Sequence, residues 1–162
     1  MDDGMVYTAS FPLTAVTAQM DFFEGLCPTD SVLCLHEVHI GQETEAGDTE
    51  AELLGYKIVK GLGAVTSGSG GITAASGKKM TGYPASGATV EAVNTTKMVV
   101  GSGTLEIWTE DTFHVAAGLH YVPTPEDRPK VSPGDRITVE LAKTPADSIS
   151  FRGYMKYSLI GG

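Results

Sequence analysis

The sequence predicts an all-β protein, a β-sandwich of jelly-roll type. Three observations carry this. Helix signals are nearly absent. Segments in which apolar and polar side chains alternate with a period of two recur along the chain. Turn chemistry separates them, supplied by 20 glycines and 8 prolines in 162 residues. About seven to nine short strands so spaced fit a sandwich or jelly roll, with a barrel of similar strand count as the competitor. The length suits one domain over residues 1–162 with a real core.

Taken in order, Met1–Phe11 is expected to act as an N-terminal arm that pairs with a neighbouring molecule. "VLCLHEVHI" (Val32–Ile40) is apolar on both faces near its start and reads as a buried strand. "TEAELLGYKIV" is the best helix candidate, yet Gly55 sits in its middle and β-branched residues close it. It therefore reads as a strand over Leu53–Lys60, with Leu54, Tyr56 and Ile58 on one face. At most a helical turn precedes it at Asp48–Glu52. Residues 61–88 are rich in Gly, Ser, Ala and Thr and poor in large apolar groups, so they are expected to form a long loop or an extended arm.

"TLEIWTEDTFHV" alternates, with Leu105 and Ile107 on one side and Glu106 and Trp108 on the other. The connection from Tyr121 onward holds Pro123, Pro125, Pro129 and Pro133. Proline fixes φ and cannot donate to a ladder, so this reads as a rigid loop that does not pair at a sheet edge. "SPGD" (Ser132–Asp135) has the residues of a tight turn. "RITVEL" sets Ile137, Val139 and Leu141 opposite Arg136, Thr138 and Glu140. "KTPAD" (Lys143–Asp147) is expected to close a hairpin between the last two strands. In "ISFRGYMKYSLI", Phe151, Met155, Tyr157 and Leu159 share one face, and Arg152, Tyr154, Lys156 and Ser158 the other.

Charge narrows the partners. The net charge of −9 disfavours direct nucleic-acid binding, which needs clustered Lys and Arg. Residues 1–56 carry eleven carboxylates and no Lys or Arg, while residues 57–162 carry eleven basic and nine acidic groups. Such asymmetry either steers a basic protein surface toward the N-terminal third or simply forms a solvated acidic face. No apolar run approaches the roughly 20 residues of a membrane helix. The acidic start, "MDDGMVYTAS", is unlike a signal peptide, so export is not expected. Cys27 and Cys34 make no disulfide framework and are expected to be buried free thiols.

Catalytic chemistry finds little to stand on. His36 and His39 are three apart on a strand and point to opposite faces, a poor chelate. His114 and His120 could approach across a turn, but no third ligand is evident. The acidic stretch Glu43–Glu52 lacks the residue order of an EF-hand. No G-x-S-x-G elbow, Walker A sequence or dinucleotide motif occurs. No catalytic residue, cofactor or metal is assigned, and a non-enzymatic role is expected.

"HEVHIGQETEAGDTEAELLGYKIVKG", "YVPTPEDRP", "SPGDRITVEL" and "PADSISFRGYMKYSLIGG" together resemble small virion-associated proteins of tailed phages and prophages. At the level of fold the chain also resembles jelly-roll decoration (cement) proteins of HK97-type capsids. The resemblance implies a structural protein on the capsid surface, assembled in the host cytoplasm. It would bind the major capsid protein across subunit joints and self-associate as a homodimer or homotrimer. Candidate partner-binding residues are Glu43, Glu45, Asp48 and Glu50 of the acidic stretch, Lys78 and Lys79 of the long loop, and Pro123, Pro125, Arg128 and Pro129 of the proline-braced loop. Trp108, Tyr154 and Tyr56 join them if they face outward. A tail, neck or baseplate component, a carbohydrate- or receptor-binding module and a cupin-type enzyme are the rivals.

Overall fold

In the computed structural model, residues 4–43 and 52–161 are described. Met1–Asp3, the candidates Glu45, Asp48 and Glu50, and most of the expected turn at Asp48–Glu52 lie outside them. The described chain forms twelve strands: β1 Met5–Val16, β2 Met20–Leu26, β3 Val32–Gln42, β4 Leu53–Leu62, β5 Ile72–Thr73, β6 Ser76–Lys78, β7 Thr89–Asn94, β8 Thr104–His114, β9 Leu119–Tyr121, β10 Lys130–Val131, β11 Arg136–Leu141 and β12 Ile149–Ile160. A single 3-10 turn covers Pro125–Asp127. The strands make two antiparallel sheets, so the chain is an all-β sandwich. One sheet runs β10-β3-β12-β1-β6, with β9 also on β3; the other runs β5-β7-β2-β11-β4-β8.

The core lies between the sheets and is built from the alternation. Leu54, Tyr56 and Ile58 of β4, Ile137, Val139 and Leu141 of β11, and Phe151, Met155, Tyr157 and Leu159 of β12 are all buried. Aromatic rings link the layers. Phe11 of β1 stacks on Phe22 of β2 at 6.1 Å, Phe22 meets Phe151 of β12 edge-on at 5.5 Å, and Phe113 of β8 meets Phe151 at 6.5 Å. Such offset and edge-on contacts add roughly 0.5–1.5 kcal/mol each beyond the area they bury. Cys27 and Cys34 are buried thiols that are not disulfide-bonded. In the Ser132–Asp135 turn, Asp135 N donates to Ser132 O at 3.0 Å and Gly134 takes φ +83°. That is the conformation only glycine adopts cheaply.

Three expectations fail, each for a physical reason. The β11–β12 connection is not a hairpin, because β11 pairs with β2 and β4 while β12 pairs with β1 and β3 in the opposite sheet. Residues 5–11 are no free arm; they pair with β12 on one side, and residues 7–9 pair with β6 on the other. Tyr56, by contrast, is buried with Leu54 and Ile58 on the face the alternation assigns to it, so the condition for its joining the contact candidates is not met. Finally, the 61–88 segment is no extended arm. It begins as the end of β4, contributes β6 to one sheet and β5 to the other, and packs Ala74 into the core.

The glycines of that segment explain the misreading. A Cβ on Gly68 would lie 2.6 Å from Thr96 O and 2.8 Å from Glu24 Oε2, and one on Gly71 would lie 2.2 Å from Ala92 O. These glycines permit close backbone approach, so a composition that suggests slack chain here signals tight docking.

Candidate functional site

Two polar assemblies result, one buried and one open. The buried one anchors the segment between β4 and β8 onto the outer face of the second sheet. Glu24 of β2 is 1% exposed and still satisfied. Its Oε1 accepts from Ser67 Oγ at 2.8 Å and Arg136 Nη1 at 2.8 Å; its Oε2 accepts from Gly68 N at 2.8 Å and Asn94 Nδ2 at 3.2 Å. Val93, just before Asn94, sits at φ 53°, a strained value for a β-branched residue. Nearby, Asp21 Oδ2 accepts from Met98 N at 2.7 Å, while its buried Oδ1 has no partner. Burial pushes the Asp21 carboxyl up to about 7; the Met98 N–H opposes this, Glu140 and Glu24 reinforce it, and Lys97 opposes it.

On the first sheet, the same insertion is clasped by tyrosines. Tyr7 and Tyr157 are cross-strand partners stacked at 5.7 Å. Tyr157 Oη lies 2.6 Å from Ser76 Oγ and 2.7 Å from Ser86 Oγ, and Tyr7 Oη donates to Pro84 O at 3.2 Å. Burial raises the Tyr157 hydroxyl's pKa, and the serine contacts oppose the rise.

The open assembly is the outer face of the first sheet. The alternation of β12 puts Arg152, Tyr154 and Lys156 there, beside His36, Glu37 and His39 of β3. A cleft of about 460 Å³ is lined by Ser10, Phe11, His39, His120, Arg152 and Tyr154, among others. Next to it, Lys78 and Lys79 border a second hollow with His36 and Lys156. Tyr154 stacks on His39 at 5.1 Å. Lys156 Nζ is 2.6 Å from Glu37 Oε1, and Arg152 Nε is 2.7 Å from Glu43 Oε1. Lys156 is the main cause of the depressed Glu37 carboxylate, whose charge in turn raises Lys156. The face thus concentrates basic and imidazole groups on a chain whose net charge is −9.

The histidine pairing differs from the expected one. His114 Nδ1 accepts from Ala116 N at 3.1 Å and stays with its own turn. Gly118, at φ +79°, completes that turn and sends β9 along β3, so His120 lies opposite His39. Their Nδ1 atoms are 2.8 Å apart. The residues are 81 positions apart, and no local spacing signals the meeting. Among the described residues no group of three or more His, Cys, Asp or Glu could hold a metal ion.

The other sequence candidates scatter. Glu43 is exposed and pairs with Arg152, bringing the end of the acidic stretch to this face. Lys78 and Lys79 are exposed, as a contact role needs. The proline-braced loop is an excursion between β9 and β10, which both pair with the same edge of β3. Pro125 is exposed and Pro123 and Arg128 are half-buried. Pro129 is buried, and its carbonyl accepts from Leu35 N at 3.0 Å. Pro129 therefore belongs to the sheet edge, not to an external contact surface: proline lacks a donor but keeps its acceptor.

Trp108, a contact candidate on condition that it face outward, meets that condition on β8, whose edge position the alternation did not reveal. On β8, Leu105, Ile107 and Trp108 are 36%, 52% and 42% exposed. Opposite Val59 and Gly61, Ile107 and Leu105 take the outer side, and the register shifts at Trp108. Trp108 Nε1 donates to Tyr121 Oη at 3.1 Å, bridging the edges of the two sheets.

No protein-family model, curated protein or solved structure matches the chain. Fold and site together define a two-sheet antiparallel β-sandwich with a clamped insertion, a basic outer face and a long exposed edge strand.

Proposed function

We propose that the chain is a structural virion protein of a tailed bacteriophage, a capsid decoration protein that binds across major capsid protein subunits on the particle surface. The phage assignment rests on the sequence resemblance. The observation that carries an adhesive role is β8, an eleven-residue edge strand paired only with β4 and bearing exposed Leu105, Ile107 and Trp108. Soluble monomers blunt such edges with charge or cover them. Glu106 and Glu110 pair with Lys60 at 2.7 Å and Lys57 at 3.4 Å and keep charge on the strand, but Leu105 and Ile107 remain exposed on it. A neighbouring subunit laid on β8 removes that liability, which favours self-association as a dimer or trimer.

We further infer that the sandwich is a jelly roll. Supporting this, β1-β12-β3 continue into β9 and β10 as one interrupted fourth strand, facing β2-β11-β4-β8. Chain order alternates between the sheets except from β4 to β8, where both strands share a sheet. That is the order of two interlocked Greek keys with an insertion between the central strands.

A stained gel of purified virions tests the role. A decoration protein runs in amounts comparable to the major capsid protein. A few copies per particle would instead place it in the tail, neck or baseplate, and absence from virions would end the reading.

A further inference from the structure

We propose that His39 and His120 form a cross-strand chelate for one divalent first-row metal ion with tetragonal preferences, Cu²⁺ or Ni²⁺, in the open cleft of the first sheet. This does not depend on the virion reading.

The argument starts from the tautomers. His120 Nε2 lies 3.0 Å from Ala117 O. A carbonyl only accepts, so Nε2 of His120 carries the proton and its Nδ1 presents a lone pair. That lone pair faces His39 Nδ1 at 2.8 Å, so in the metal-free protein His39 donates from Nδ1. Metal-binding histidines characteristically give their second N–H to a carbonyl or carboxylate, which fixes the ring and bares the ligating nitrogen. Ala117 supplies that support to His120 in advance. On binding, His39 moves its proton from Nδ1 to Nε2 through solvent, and no net proton is released.

Geometry selects the ion. With metal–nitrogen bonds of roughly 2.0–2.1 Å, nitrogens held 2.8 Å apart subtend an angle of about 90° at the metal. That suits square-planar or tetragonal Cu²⁺ and Ni²⁺ better than tetrahedral Zn²⁺. The rings meet edge-to-face with centroids 4.7 Å apart, and His120 is exposed, so the site opens to solvent and water completes the coordination. The surrounding face is basic, which opposes a cation, but the two cations of the sheet nearest His39 are each paired, Arg152 with Glu43 and Lys156 with Glu37, which lessens that opposition. The backbone pairing of His39 with His120 keeps both ligands on rigid strands.

Isothermal titration of the full chain with NiCl₂ tests this, together with electron paramagnetic resonance of the Cu²⁺-loaded protein. One equivalent of Ni²⁺ should bind per chain, and the Cu²⁺ spectrum should show coupling to two nitrogens. His39→Asn and His120→Asn should each weaken binding at least about tenfold, whereas His114→Asn should not; melting curves check that each variant folds. Binding that survives in the His39→Asn/His120→Asn double variant, or no saturable binding by the parent protein, overturns the proposal. Zn²⁺ bound more tightly than Ni²⁺ would overturn the tetragonal assignment.

Discussion

Glu24 and Arg136 meet at 2.8 Å between adjacent strands β2 and β11, with the Glu24 side chain fully removed from solvent. The pair is the floor on which the Ser67–Gly68 turn is set. One carboxylate thus fastens the chain between β4 and β8 to the sandwich. Replacing Glu24 by Ala leaves Arg136, Ser67 and Gly68 without this acceptor, while Asn94 keeps its shorter bond to Glu91 at 2.9 Å. A half-broken buried ion pair of this kind costs about 3–5 kcal/mol. Urea denaturation should show that loss, and limited proteolysis should cut first within residues 64–71. A midpoint within experimental error of the parent's would refute the anchoring role.

Asp21 should make stability depend on pH in the direction opposite to most carboxylates. Its folded pKa is raised to about 7 from 3.8, so the folded state binds the proton more tightly than the unfolded state. The stabilisation is fully present below the unfolded value and is lost as pH rises from about 4 through about 7. Asp21→Asn should flatten that slope and leave a variant more stable than the parent at pH above about 8. Thermal melts across the range are the check; an unchanged slope would show that other groups set it.

Tyr157→Phe removes the hydroxyl shared by Ser76 and Ser86 without disturbing the stack on Tyr7. A loss of roughly 0.5–1.5 kcal/mol is expected, because Ser76 and Ser86 are half-buried and Ser86 Oγ still accepts from Ala88 N at 3.2 Å. Hydrogen exchange should quicken at residues 76–88 before it does in β12. Uniform quickening across the sandwich would mean the clasp is not local.

Ile107→Lys puts a charge at the exposed centre of β8, where it gains nothing and loses little apolar burial. If β8 is the contact between copies, light scattering should show a larger species for the parent and a monomer for the variant, while at concentrations where both are monomeric the melting temperatures should agree. Trp108 is the only tryptophan, so its fluorescence should shift to longer wavelength in the variant if the edge is covered in the parent. A parent protein that is already monomeric at high concentration would remove β8 as the contact.

The deletion of residues 65–87, which a long loop or extended arm would tolerate with folding intact and only attachment to the particle weakened, is expected to unfold much of the protein. The segment carries Ser67 and Gly68 to Glu24, Ala74 to the core and Ser76 and Ser86 to Tyr157. A soluble, folded deletion product with parent-like melting would contradict this.

Period-two alternation was enough to place β4, β11 and β12 and to group the residues that share a face, because the pleat fixes this wherever a strand sits; β3 was legible instead as a run apolar on both faces near its start. Glycine and proline chemistry likewise marked the Ser132–Asp135 turn, but the expectation that the proline-rich connection ahead of it does not pair fails: β10 lies within it and pairs with β3, because proline keeps its carbonyl acceptor and Lys130 and Val131 keep both groups. Local pattern carries no record of which sheet a strand joins, and so β11 and β12 looked like a hairpin. It also cannot say whether a glycine is there for freedom or for close contact, and so the clamped insertion looked like an arm. On β8 the alternation was legible, but an edge position turned Leu105 and Ile107 toward solvent. The His39–His120 pair and the Glu24 anchor exist only because distant strands come into register, and contacts of that range are set by the packing of two sheets around one core rather than by any neighbouring residue.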